Sequence, residues 1–137
     1  TQDAATFHGE FVNFDECILR PRPTQASVPI HVGGHSDVAA KRAGRLGDGF
    51  FPAAPTHEEL DHLFKLARQT ASESGRDPDA LEMTTGGRGA IGSNALAEVQ
   101  ALADMGVHRV VVPSFLFYRD TVNSLAAYGE AVISQAS

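Results

Sequence analysis

Two short stretches hold residues whose types and spacing could do chemistry: Gly33-Gly34-His35-Ser36 and Thr85-Gly86-Gly87-Arg88. Each sets a glycine pair at the end of an extended run and follows it with a polar or cationic residue. Glycine lets the backbone approach a ligand closely and adopt positive φ. A helix starting just after such a turn points unpaired N–H groups outward, and its dipole favours an anion there by about 0.3–1 kcal/mol. The Ser36 hydroxyl adds a further donor. The Gly33 to Ser36 loop is therefore built like a phosphate cradle. The same residues serve equally well as a tight strand-to-helix turn in which glycine supplies geometry alone. Arg88 is placed to meet an anionic ligand, and is equally an ordinary exposed loop arginine. Phe51 belongs either to the core beside Phe50 or to the wall of a ligand pocket.

Other reactive side chains carry less. His31 and His35 bracket a strand end, but no third ligand accompanies them, so a metal site is not expected. His57, Glu58, Glu59, Asp61 and His62 fall in a capping box and on the polar face of a helix, which reads as solvated surface. Cys17 is the single cysteine. It excludes an internal disulfide, fits a reducing cytoplasm, and reads as a packing residue rather than a nucleophile. No Ser-His-Asp arrangement can be argued.

The elements that must position these residues alternate regularly. "PIHV", "DGFFPA", "ALEMTTGG" and "VHRVVVPS" read as strands. Each precedes a helix: "SDVAAKRAGRLG" with Ser36 as N-cap, "THEELDHLFKLARQTASESG" with a Thr56/Glu59 capping box, "SNALAEVQALADMG", and "DTVNSLAAYGEAVISQA". In the second helix Leu60, Leu63, Phe64 and Ala67 form the i, i+3, i+4, i+7 stripe of a core-facing surface. Four β-then-α units over 29–137 specify a parallel sheet with right-handed crossovers. The apolar "FF" and "VVV" runs suit a sheet covered on its faces. At about 27 residues each, the units match a (β/α) barrel, in which sites lie at the carboxyl ends of the strands. Residues 1–28 differ: "TFHGEFVNFDECIL" reads as an extended arm or hairpin, and "RPRPTQASVP" as a proline-rich connection.

The chain has 137 residues, 42% of them hydrophobic, enough for one ordinary core. Asp and Glu outnumber Lys and Arg by 17 to 11, for a formal net charge of -6. That balance, without any basic cluster, argues against nucleic acid or an anionic membrane as partner. No apolar run reaches the roughly 18 residues of a membrane span.

The stretch "PIHVGGHSDVAAKRAGRLGDGFFP", preceded by "FHGEFVNFDECILRPRPTQ" and followed by a helix leading into "GRDPDALEM", resembles the luciferase-like monooxygenase superfamily. Its "GGHS" and "GDGFFP" wording is most similar to the actinobacterial-type oxidoreductases that use the deazaflavin coenzyme F-420. The resemblance runs from "F-x-G-E-F" to "GVHRVVVP". It implies the C-terminal half of a (β/α)8 barrel whose mouth binds F-420, or FMN as the alternative, for hydride transfer to or from a small-molecule substrate. The coenzyme phosphate would then fall on Gly33, Gly34, His35 and Ser36, with Phe51 and Arg88 as further contacts. It names no catalytic acid or base here. The alternative is a non-catalytic half-barrel that binds or assembles. Four units are half of an eight-stranded barrel, and the first residue is Thr1 rather than Met. The expectation is therefore either a missing N-terminal half or a homo-oligomer, with no turnover by the isolated chain.

Overall fold

The computed structural model describes residues 3–53, 56–87 and 89–136. A two-stranded antiparallel hairpin, β1 (Ala5–His8) and β2 (Asn13–Cys17), comes first. Four parallel strands follow, β3 (His31–Gly33), β4 (Gly49–Phe51), β5 (Glu82–Gly86) and β6 (Arg109–Val111). They lie side by side in chain order. Helices α1 (Asp37–Leu46), α2 (His57–Glu73) and α3 (Ala95–Asp104) connect them, and α4 (Thr121–Ala131) follows β6. Neighbours in sequence are neighbours in the sheet, as right-handed crossovers of one hand around a barrel require.

The caps form as their residues dictate. Ser36 Oγ accepts from the Ala39 N–H at 3.3 Å, and Thr56 Oγ1 accepts from the Glu59 N–H at 3.2 Å. The Thr56 hydroxyl also donates to the Glu59 carboxylate at 3.1 Å. Gly44 is where α1 meets α2, and a Cβ there would lie 2.4 Å from the Ala67 carbonyl oxygen. Arg76 then closes the C-terminus of α1, donating to the carbonyls of Gly44 at 2.7 Å and Gly47 at 2.6 Å. This satisfies acceptors that a helix end leaves without partners.

The core lies between the sheet and α1–α3. Phe50 and Met83 point from the sheet onto Leu60, Leu63, Phe64 and Ala67, with Phe50 edge-on to Phe64 at 6.3 Å. A half-barrel by itself leaves one face of its sheet without helices. The helices cover only the face that carries Phe50 and Met83. Strand alternation sends Phe51, Thr84 and Val111 to the other face, where Phe51 and Val111 are 37% and 40% exposed and Thr84 is buried. On that open side Arg109 also pairs with Glu82 at 3.0 Å. The "VVV" run yields a strand of only three residues, because β6 is an edge paired on one side and Pro113 cannot donate to a ladder. The last helix ends early, at Ala131, and none of its own residues is buried.

Candidate functional site

All four strands end on the same side of the sheet, so the loops after them share one mouth. At the end of β3, Gly34 has φ +127°, a region L-residues rarely adopt, and a Cβ there would lie 2.8 Å from the Ala39 Cβ. Gly33 has no such constraint: the nearest atom to a Cβ built on it is the Phe51 carbonyl oxygen at 4.0 Å. The two glycines therefore differ, one demanded by the turn and the other leaving open backbone. His35 and Ser36 are both exposed beside them. The Ser36 oxygen caps α1 as an acceptor, and a hydroxyl in that role still has its own proton to donate. Asp37, in the first turn of the same helix, would repel an anion, but its carboxylate turns to His62 Nε2 on α2 at 3.0 Å.

Gly33 pairs in register with Phe51, and the ring of Phe51 opens onto a cavity of about 570 Å³. Its walls come from the ends of three strands (Phe51 to Ala53, Thr85 to Gly87, and Pro113), from the start of α2, and from Glu98 and Leu102 of α3. Gly33 to Ser36 do not line it; they flank it one strand away. Of the two phenylalanines, Phe50 is in the core and Phe51 in the mouth. Arg88 lies outside the described residues.

His57, expected on solvated surface, is exposed at the start of α2; it also borders this cavity, and its Nε2 lies 2.9 Å from Glu98 Oε1 on α3. Glu98 was not among the sequence candidates. It stands 41 residues from His57, and no local pattern joins them. The β5–α3 loop lies against the same carboxylate, since a Cβ on Gly89 would come within 2.9 Å of its carboxyl carbon.

Among the described residues, no three His, Cys, Asp or Glu side chains converge as a metal would require, and no helix is long and apolar enough to cross a membrane. Cys17 is exposed on β2. A second cavity, about 680 Å³, lies between α3, β6 and α4 and is walled largely by valines, Phe117 and Leu125. Tyr128 lines it too, and burial pushes its phenol above the ordinary value.

Comparison with known proteins agrees with this fold. The family model for luciferase-like monooxygenases matches residues 1–135. The chain is 42% identical over 76 residues to the FMNH2-dependent dimethylsulfone monooxygenase of Pseudomonas putida, covering 55% of this chain and 21% of that protein. It is 32% identical over 84 residues to the F-420-dependent glucose-6-phosphate dehydrogenase of Nakamurella multipartita, covering 60% of this chain and 24% of that protein. The coenzyme F-420 dependent tetrahydromethanopterin reductase of Methanopyrus kandleri shares the fold, with a TM-score of 0.73 at 14% identity over 96% of this chain and 58% of that one. The fold is thus that of a half (β/α)8 barrel. The chain spans 21 to 37% of the length of these and other curated relatives it matches.

Proposed function

We propose that this chain, which belongs to the luciferase-like monooxygenase family, forms the coenzyme-binding half of an oxidoreductase. The coenzyme in this reading is F-420, with FMN as the alternative, held at the barrel mouth, and the substrate is a small molecule. The observation that carries it is the β3–α1 turn: a positive-φ glycine, an open Gly33 backbone and a capped helix start, all beside a cavity built from the next three strand ends.

The residues present fit a phosphate-bearing coenzyme. Gly33 offers open backbone where a Cβ would intrude, and the first turn of α1 supplies N–H groups with the positive end of its dipole. Ser36 contributes its hydroxyl proton, His35 an exposed imidazole, and the bond to His62 holds the Asp37 carboxylate toward α2. Phe51 offers an apolar wall toward the neighbouring cavity. When bound, either coenzyme supplies a ring that carries hydride; the protein's share is to bind, orient and exclude water. No side chain of this chain is assigned as the acid or base.

The uncovered sheet face and the two edge strands, β3 and β6, support a further part of this reading: the mouth is completed by four more βα units or by a second copy of the chain. The same exposed surface favours the alternative, a half-barrel that only assembles. Titration with F-420 and with FMN, followed by absorbance, separates the two. Saturable uptake of one coenzyme supports the oxidoreductase reading, and uptake of neither favours the assembly module.

A further inference from the structure

We propose that His108 is a proton-sensitive clip between β5 and β6, and that acid frees the start of β6, whose other end leads into the wall of the mouth. The inference stands apart from the coenzyme reading above.

The clip fills a gap in the sheet. In a parallel ladder a residue sends its N–H and its carbonyl to two different residues of the neighbouring strand, with one residue between them. His108 N–H donates to the Met83 carbonyl at 2.8 Å, so the Met83 N–H should find the carbonyl of Gly106. Gly106, however, turns out of α3 at φ +81°, and its carbonyl accepts from Arg68 Nη2 on α2 at 3.3 Å. The imidazole of His108 takes the empty place, and the Met83 N–H donates to its Nδ1 at 2.9 Å. One residue thus completes the ladder step, with its backbone on one side and its ring on the other.

Water treats the two partners differently. Met83 is 0% exposed, so no solvent molecule can replace the acceptor of its N–H while the strands stay together. His108 is exposed, so protons reach the ring. A neutral imidazole that accepts at Nδ1 carries its proton on Nε2, whereas an imidazolium has an N–H on both nitrogens and accepts at neither. Protonation therefore sets two donors face to face and leaves a buried N–H unsatisfied, which is costly. The ladder opens at this step instead.

Nothing around the ring offsets the added charge. Among the described residues His8, His57 and His62 pair with carboxylates, and His108 does not. The acids of the flanking helices are Glu98 and Asp104 on α3 and Glu130 on α4. Glu98 is taken by His57, and neither of the others pairs with the ring. Glu82, next to Met83, pairs with Arg109 on the open face of the sheet. Tyr128 shares a cavity with His108 and stays neutral, because burial pushes its phenol up. Arg68, at Gly106, adds a positive charge. The step that opens lies at the start of β6, an edge strand of three residues that leads to Pro113 in the mouth wall.

The test measures amide hydrogen exchange of the whole chain at about pH 8 and about pH 5, a span across which histidine changes charge. His108→Asn and His108→Ala are measured beside it. Rates are expressed as protection factors, which removes the intrinsic pH dependence of exchange. In the wild type, Met83 protection should fall by about five- to tenfold at the lower pH, the scale of one lost hydrogen bond, while Phe64 within α2 holds steady. Asparagine offers an oxygen near the place of Nδ1 and does not titrate, so His108→Asn should keep Met83 protected at both pH values. His108→Ala should lose protection at both. Nitrogen chemical shifts of the wild-type ring give a check that needs no variant: the proton sits on Nε2 at the higher pH, and the ring and the Met83 amide titrate together. Equal Met83 protection at both pH values in the wild type would overturn the inference. So would an acid loss in His108→Asn as large as in the wild type, a fall shared by Phe64, or a ring that carries its proton on Nδ1 at the higher pH.

Discussion

Replacing Gly34 by alanine should separate the turn from the cradle when it is compared with the same change at Gly33. At φ +127° an L-residue carries about 1–3 kcal/mol of backbone strain. The new Cβ would also lie 2.8 Å from the Ala39 Cβ, inside van der Waals contact, which adds an overpacking cost of about 1 kcal/mol or more. Together they predict that Gly34→Ala loses about 2–4 kcal/mol, or a Tm lower by roughly 8–16 °C for a domain of this size. Gly33→Ala meets nothing closer than 4.0 Å, so its stability should stay within about 0.5 kcal/mol of wild type. Coenzyme affinity should divide them differently. Gly33→Ala should lose about tenfold or more, the scale of one hydrogen bond to a charged group, because its Cβ occupies the surface a phosphate would approach. Urea unfolding followed by far-UV circular dichroism gives the first quantity and coenzyme titration the second. A Gly34→Ala variant as stable as wild type would refute the geometric argument. A stable Gly33→Ala variant with undiminished affinity would refute the cradle.

Leu63→Ala should cost about 2–5 kcal/mol in urea unfolding, since Leu63 is 5% exposed within the α2 stripe that covers the sheet; a cost below 1 kcal/mol would mean that the stripe does not pack as described. Gly44→Ala should destabilise by about 2 kcal/mol, although alanine gains about 1 kcal/mol over glycine in a free helix, because the Cβ would meet backbone at 2.4 Å. A stabilised Gly44→Ala variant would contradict the close approach of α1 and α2. Light scattering at micromolar concentration should show the isolated chain above its monomer mass of 14.5 kDa, since Phe51, Val111 and both sheet edges are uncovered; a stable monomer would contradict the expected self-association.

The order of units was legible because each carries local punctuation. Ser36 and the Thr56/Glu59 box mark helix starts, and the Leu60, Leu63, Phe64, Ala67 stripe marks the buried face. These signals need only neighbouring residues. Which of two adjacent residues does which job was not legible. Phe50 and Phe51 are chemically identical, and only strand register sends one to the core and the other to the mouth. The glycine pair was visible, but not that Gly34 carries the turn while Gly33 leaves the backbone open. His57 was legible as solvated surface, and it is exposed; that it also borders the cavity was not legible, because the capping box beside it points only to the helix start. A helix that follows a parallel strand starts at the rim of the mouth, so a polar residue in its first turn can face the cavity. Its partner Glu98 arrives from another unit, through tertiary packing alone.

The most direct test of the central claim is equilibrium titration of the purified chain with F-420 and with FMN, with inorganic phosphate as competitor. The account predicts saturable binding of at least one coenzyme, displaced by phosphate and accompanied by amide shifts at Gly33 to Ser36. Absence of binding by both, or binding that leaves those four residues unperturbed, would contradict it.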